Sequence, residues 1–68
     1  MLTPMADIED IAYDADRAKL MVRFAGGDAY VYVGVPGEVH RSFLDAESRA
    51  GFFADRICDR YPYNRLEA

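Results

Sequence analysis

Apolar and polar residues alternate with period two through the first half of the chain, and the second half changes to helical spacing. Lys19–Phe24 alternates most cleanly. Leu20, Val22 and Phe24 point one way and Lys19, Met21 and Arg23 the other, the pattern of an antiparallel strand buried on one face. Asp7–Tyr13 is a less regular strand, with Ile11 and Tyr13 on one face and Ile8 on the other. Between them, Asp14-Ala15-Asp16-Arg17 has the composition of a turn, because an aspartate side chain can accept from nearby backbone N–H groups.

Ala29–Val33 is the third strand, and Gly26-Gly27-Asp28 before it supplies residues that tolerate positive φ, as a hairpin requires. Two registers fit. A Gly26-Gly27 loop pairs Phe24 with Ala29, turns Val31 and Val33 to the core and leaves Tyr30 and Tyr32 outside. A Gly26-Gly27-Asp28 loop with a bulge pairs Phe24 with Tyr30 and brings both tyrosines to the core side. A slip of one residue exchanges the faces. The second register is preferred, since a tyrosine ring can bury while its hydroxyl reaches the edge.

Gly34-Val35-Pro36 then switches the period. Proline cannot donate to a ladder but suits the first turn of a helix. Pro36–Asp45 is expected to be helical, with Val39 and Phe43 as an i,i+4 apolar pair, His40 and Leu44 beside them, and Glu38, Arg41 and Asp45 opposite. Ser48 is a good N-cap for a second helix from Arg49 to about Asp59, whose apolar face is Ala50, Phe53, Ala54 and Ile57. Pro62 stops it, and Tyr61–Leu66 is read as an extended tail lying back over the sheet or helices. The expected fold is α+β in β-β-β-α-α order, a three-stranded antiparallel meander with two short helices packed on one face. Its core would include Ile11, Leu20, Val22, Phe24, Val39, Phe43, Phe53 and Ile57. Residues 1–6 form a leader and 7–68 a single domain.

Composition narrows the function. The chain has 68 residues, of which 51% are apolar, enough for a core without metals or disulfides. Its one cysteine, Cys58, and one histidine, His40, supply neither a disulfide nor a zinc ligand set. No apolar run approaches the roughly 20 residues of a membrane span. A cytoplasmic protein is expected. The net charge of −4 disfavours a default electrostatic nucleic-acid binder. Residues 1–37 hold six acids and three bases, while the remainder is nearly balanced, with six acids and five arginines.

Candidate chemistry is sparse. Arg49, Arg56 and Arg60 fall at i, i+7 and i+11, one stripe of the second helix if it reaches Arg60. Phe52 lies beside that stripe, Arg65 can join it from the tail, and Asp55 and Asp59 flank it. Tyr30 and Tyr32 on their strand can stack on unpaired bases or serve in the core. A solvated face with local ion pairs is the plainer reading of the arginines. His40 and Cys58 are the only nucleophile-and-base pair, on different helices, and no catalytic constellation is expected. The acids Asp7, Glu9, Asp10, Asp14 and Asp16 lack the ligand spacing of a calcium loop. No catalytic, cofactor-binding or metal-binding residue is assigned.

Tyr30-Val31-Tyr32, Gly34-Val35-Pro36, Ala46-Glu47-Ser48-Arg49-Ala50-Gly51-Phe52-Phe53, Ile57 and Tyr61-Pro62-Tyr63, in this order, resemble the KTSC domain. That family is named after the C-terminus of some lysyl-tRNA synthetases and also occurs as short stand-alone bacterial proteins, which this chain resembles from about Ile8 to Leu66. The resemblance implies no catalytic residues. It implies a small appended module with a protein or RNA partner, tRNA among the RNAs. The expected function is therefore a non-enzymatic binding module or, alternatively, an RNA-binding domain using Tyr30, Tyr32, Arg49, Arg56, Arg60 and Arg65. An exposed edge strand would also allow a homodimer.

Overall fold

The computed structural model describes residues 8–66. Three strands form an antiparallel meander: β1 (Ile8–Asp14), β2 (Lys19–Phe24) and β3 (Ala29–Val33). Helix α1 (Gly37–Asp45) comes next, then α2 (Arg49–Phe52), which runs into a π-helical turn over Phe53–Ile57. A fourth strand, β4 (Tyr63–Leu66), completes a sheet of order β1-β2-β3-β4. The expected leader, residues 1–6, lies outside the described residues.

The expected α+β class and element order hold, but the sheet has four strands, not three. The tail does not simply lie over the domain. After the π turn the chain reverses through Asp59, which takes a left-handed φ of 71°. Pro62 O then accepts from Val33 N at 2.9 Å and leads into the ladder. Tyr63 pairs with Tyr32, Asn64 with Val31, Arg65 with Tyr30 and Leu66 with Ala29. A strand of four residues is too short to announce itself by alternation. β3 is thus an inner strand, and the sheet edges are β1 and β4.

The hairpin between β2 and β3 keeps the preferred face and changes the partners. Phe24 N donates to Asp28 O at 2.8 Å, and Gly27 N donates to Phe24 O at 3.0 Å. The loop is therefore Ala25–Gly27, with Gly26 and Gly27 at φ of 104° and 105°, where a side chain would be strained. Val22 pairs with Tyr30 and Leu20 with Tyr32, so the expected pairing of Phe24 with Tyr30 is displaced by two residues. Two residues are one full period of a strand, and both tyrosines keep their place on the core face.

β1 also departs from simple alternation. Its register shifts between Ile8 and Asp10, so Ile8 pairs with Phe24 while Ile11 pairs with Val22. This bulge turns Ile8 onto the same face as Ile11 and Tyr13, and all three pack against the core. Strict alternation places Ile8 on the opposite face.

At the switch from sheet to helix, Gly34 N and Val35 N both donate to Ala18 O at 2.9 Å, tying the β1–β2 turn to the end of β3. The Tyr13 hydroxyl donates to Val35 O at 2.6 Å. Pro36 occupies the N-cap, so α1 begins one residue later than expected. Ser48 Oγ accepts from Gly51 N at 3.0 Å, as its capping role requires. The core consists of Leu20, Val22, Tyr32, Val35, Phe43, Phe53 and Ile57. Ile11, Phe24 and Val39, expected in the core, are half-buried and pack against it. Tyr32, whose ring meets Phe53 at 5.5 Å, and Val35, whose carbonyl accepts from the Tyr13 hydroxyl of β1, take the central places.

Candidate functional site

The expected arginine stripe does not exist as a helical stripe. The α-helical phase lasts only from Arg49 to Phe52, and the π turn underwinds the segment from Phe53 to Ile57, with Cys58 N donating to Phe53 O at 2.8 Å. The helical run ends at Ile57, short of the expected Asp59, because Cys58 is extended. Arg49 instead folds back onto α1, where its guanidinium donates to Leu44 O at 3.2 Å. Arg65 lies on β4 and pairs with Asp28 at 3.0 Å.

Arg56 and Arg60 do come together. They line a groove of about 460 Å³ between α1 and the π turn, with Phe52 and Tyr61 beside them. The Arg56 guanidinium carbon lies 5.8 Å from the centre of the Phe52 ring. The α1 wall is Glu38, Val39 and Ser42. Neither arginine makes an ion pair among the described residues. Such a groove offers two planar donor forks over a partly apolar floor, suited to carboxylate or phosphate groups. Glu38 opposes any large polyanion. The sequence pattern missed Glu38, Ser42 and Tyr61 here. Glu38 and Ser42 stand one turn apart beside Val39, so helical spacing alone allows them one wall, but nothing in the sequence marks that wall as facing Arg56.

The two tyrosines lie elsewhere. Tyr32 is buried and Tyr30 half-buried, both on the core face of β3. Tyr63 of β4 packs against both, 5.6 Å from Tyr30 at 67° and 5.4 Å from Tyr32 at 33° between ring planes. Phe24, Cys58 and Asp59 close a second groove of about 240 Å³ around these rings. Among the described residues no buried side-chain nitrogen or oxygen lacks a hydrogen-bond partner, and Tyr32, although buried, belongs to the groove's lining. The proposed six-residue contact surface is therefore divided between separate places on the fold. Of its members, only Arg56 and Arg60 share a groove lined by arginine.

Burial, followed by the charges of Cys58, Tyr63, Tyr30 and Asp59, pushes the Tyr32 phenol from 10.0 up to about 12. The fold holds the neutral phenol. Its contribution to stability is complete below about pH 10 and is lost as pH rises through about 12. In an alkaline titration followed by phenolate absorbance, one of the five tyrosines should ionise late, together with loss of the folded circular-dichroism signal. Disappearance of that late step in Tyr32→Phe identifies the residue. Its persistence would contradict the assignment.

His40 and Cys58 serve different neighbours. The His40 ring stacks on Tyr13 at 4.5 Å and 18°, at the β1 side of the sheet. Cys58 is half-buried in the tyrosine groove. Among the described residues no group of three or more His, Cys, Asp or Glu is placed to hold a metal ion. No helix among them is long and apolar enough to cross a membrane.

The family model described as the KTSC domain matches residues 6–61. The match stops before β4. A protein of Tsukamurella paurometabola, whose name states no activity, is 39% identical over 54 residues, covering 79% of this chain and 81% of its own. The crystal structure of a KTSC domain protein from Yersinia pestis superposes with a TM-score of 0.85 at 29% identity. That likeness covers 98% of this chain and 94% of the other.

Proposed function

The chain belongs to the KTSC domain family, and from that premise we propose that it is a non-enzymatic binding module. Its contact surface is the groove between α1 and the π turn, and its partner presents acidic groups. The observation that carries this reading is the meeting of Arg56 and Arg60 in one groove, with neither guanidinium ion-paired among the described residues. Exposed ion pairs contribute only about 0–1 kcal/mol each, so the contact is modest in strength and salt-dependent.

A second reading, RNA or tRNA binding, is favoured by Phe52 and Tyr61 beside the two arginines. Rings next to guanidinium groups suit splayed bases of a single-stranded segment. Glu38 in the same groove and the net charge of −4 oppose it.

Fluorescence anisotropy with a labelled glutamate-rich peptide and with labelled tRNA, at low and moderate salt, tests both readings. The peptide is expected to bind at low salt, and charge reversal by Arg56→Glu with Arg60→Glu to weaken it by at least about tenfold. tRNA binding lost in the same variant would favour the second reading. Binding of neither probe at low salt, or binding unaffected by the reversal, would refute the use of this groove.

A further inference from the structure

The tyrosine groove beside β4 has a chemistry opposite to that of the arginine groove. Its walls are aromatic. Tyr30 meets Tyr63 at 67° and Phe24 at 72°, with ring centres 5.6 and 6.0 Å apart, so the rings stand as the sides of a box rather than as a stack. Tyr32 and Phe53, both buried, lie behind them at 80° to one another. Tyr63 is 55% exposed, which leaves the box open on the β4 side.

One acid and no base line this box. Asp59 stands at its rim, close enough for its charge to act on the Tyr32 phenol. Arg65, paired across from Tyr30, does not line it and is tied to Asp28. The space of about 240 Å³ is below the roughly 300–1,000 Å³ of pockets for drug-sized ligands and suits a single headgroup. A cation with an apolar shell gains from ring faces and from a nearby carboxylate, whereas an anion gains from neither. The net charge of −4 also favours approach of a cation.

We propose that the groove walled by Tyr30, Tyr63 and Phe24, with Asp59 at its rim, binds an alkylated ammonium group. A free quaternary amine and the methylated lysine side chain of a partner peptide present the same headgroup. The site is separate from the arginine groove and stands or falls independently of it.

The test is a nuclear magnetic resonance titration of the full chain. The probes are choline, its neutral analogue with a tert-butyl group in place of trimethylammonium, and a short peptide carrying trimethyllysine beside its unmodified twin. Choline should shift the ring resonances of Tyr30 and Tyr63 saturably, and the neutral analogue should bind about tenfold more weakly or worse. Asp59→Asn keeps a residue that accepts left-handed φ and removes the charge. It should weaken choline by about fivefold or more, and Tyr63→Ala by about tenfold. Should Tyr63→Ala lose its dispersed amide spectrum, Asp59→Asn and the neutral analogue decide the matter. Tighter binding of the trimethyllysine peptide than of choline assigns the side chain as the source, and the reverse assigns the free amine. Equal binding of the neutral analogue, an unchanged affinity in Asp59→Asn, or shifts confined to Phe52 and Tyr61 would overturn the proposal.

Discussion

Replacing Phe43 by alanine is expected to destabilise the domain by about 3–5 kcal/mol. The ring is fully buried. It stacks on Phe52 at 5.5 Å and on Phe53 at 6.5 Å, so it is the joint between α1 and the second helical segment. A domain of this size has a total stability of only about 3–10 kcal/mol. Phe43→Ala should therefore leave a marginal fold, with a thermal midpoint lowered by roughly 15 °C or more. Leu44 is next in sequence but 39% exposed, and Leu44→Ala should cost less than about 1 kcal/mol. Urea unfolding followed by circular dichroism measures both. A loss of under about 1 kcal/mol for Phe43→Ala would mean that the helices are not joined through this ring.

Phe43, Leu20 and Val22 were legible because each belongs to a run whose period says which face is buried. Ile8 was not. A bulge inserts a residue without changing the sequence composition, and strict alternation then assigns everything beyond it to the wrong face. Val35 shows another limit. It stands alone between Gly34 and Pro36, so no period surrounds it, yet it is fully buried where the chain leaves the sheet. Its place depends on tertiary bonds to Ala18 and Tyr13, which no local pattern contains. The face of the tyrosines, by contrast, depends only on whether the loop holds an odd or even number of residues. For that reason it survived an error of two residues in the pairing.

The candidate sites divide along the same line. Arg56 beside Phe52 is a local i,i+4 relation and could be read directly. The meeting of Arg56 with Arg60 was expected from helical phase, but the structure produces it through a π turn and an extended Cys58. Arg49 fits the stripe by spacing alone, yet it holds an α1 carbonyl, a partner outside its own element that spacing cannot show. The aromatic box was hidden for another reason. Tyr30, Tyr63 and Asp59 meet only once the tail is known to be a strand, and four residues after a proline gave no sign of one.

Ending the chain after Pro62 tests that strand, with an expected loss of about 2–4 kcal/mol. The truncation removes the ladder between Tyr63–Leu66 and β3 together with the contacts of the Tyr63 ring to Tyr30 and Tyr32. The exposed Arg65–Asp28 pair goes too, but adds little. Tyr63→Ala in the full chain separates the terms, because it deletes the ring and keeps the backbone ladder. It should cost about 1–2 kcal/mol, from two aromatic pairs at about 0.5–1.5 kcal/mol each. The remainder belongs to the strand. The truncation has two further readouts. The late phenol should titrate closer to 10.0, since Tyr32 loses both cover and the neighbouring Tyr63 hydroxyl. β3 also becomes an unprotected edge, so sedimentation should show self-association that grows with concentration. A truncated chain that unfolds at the same urea concentration as the full one, and titrates identically, would show that β4 contributes nothing to the sheet. A truncated chain that loses no more than Tyr63→Ala would show that β4 contributes only its first ring.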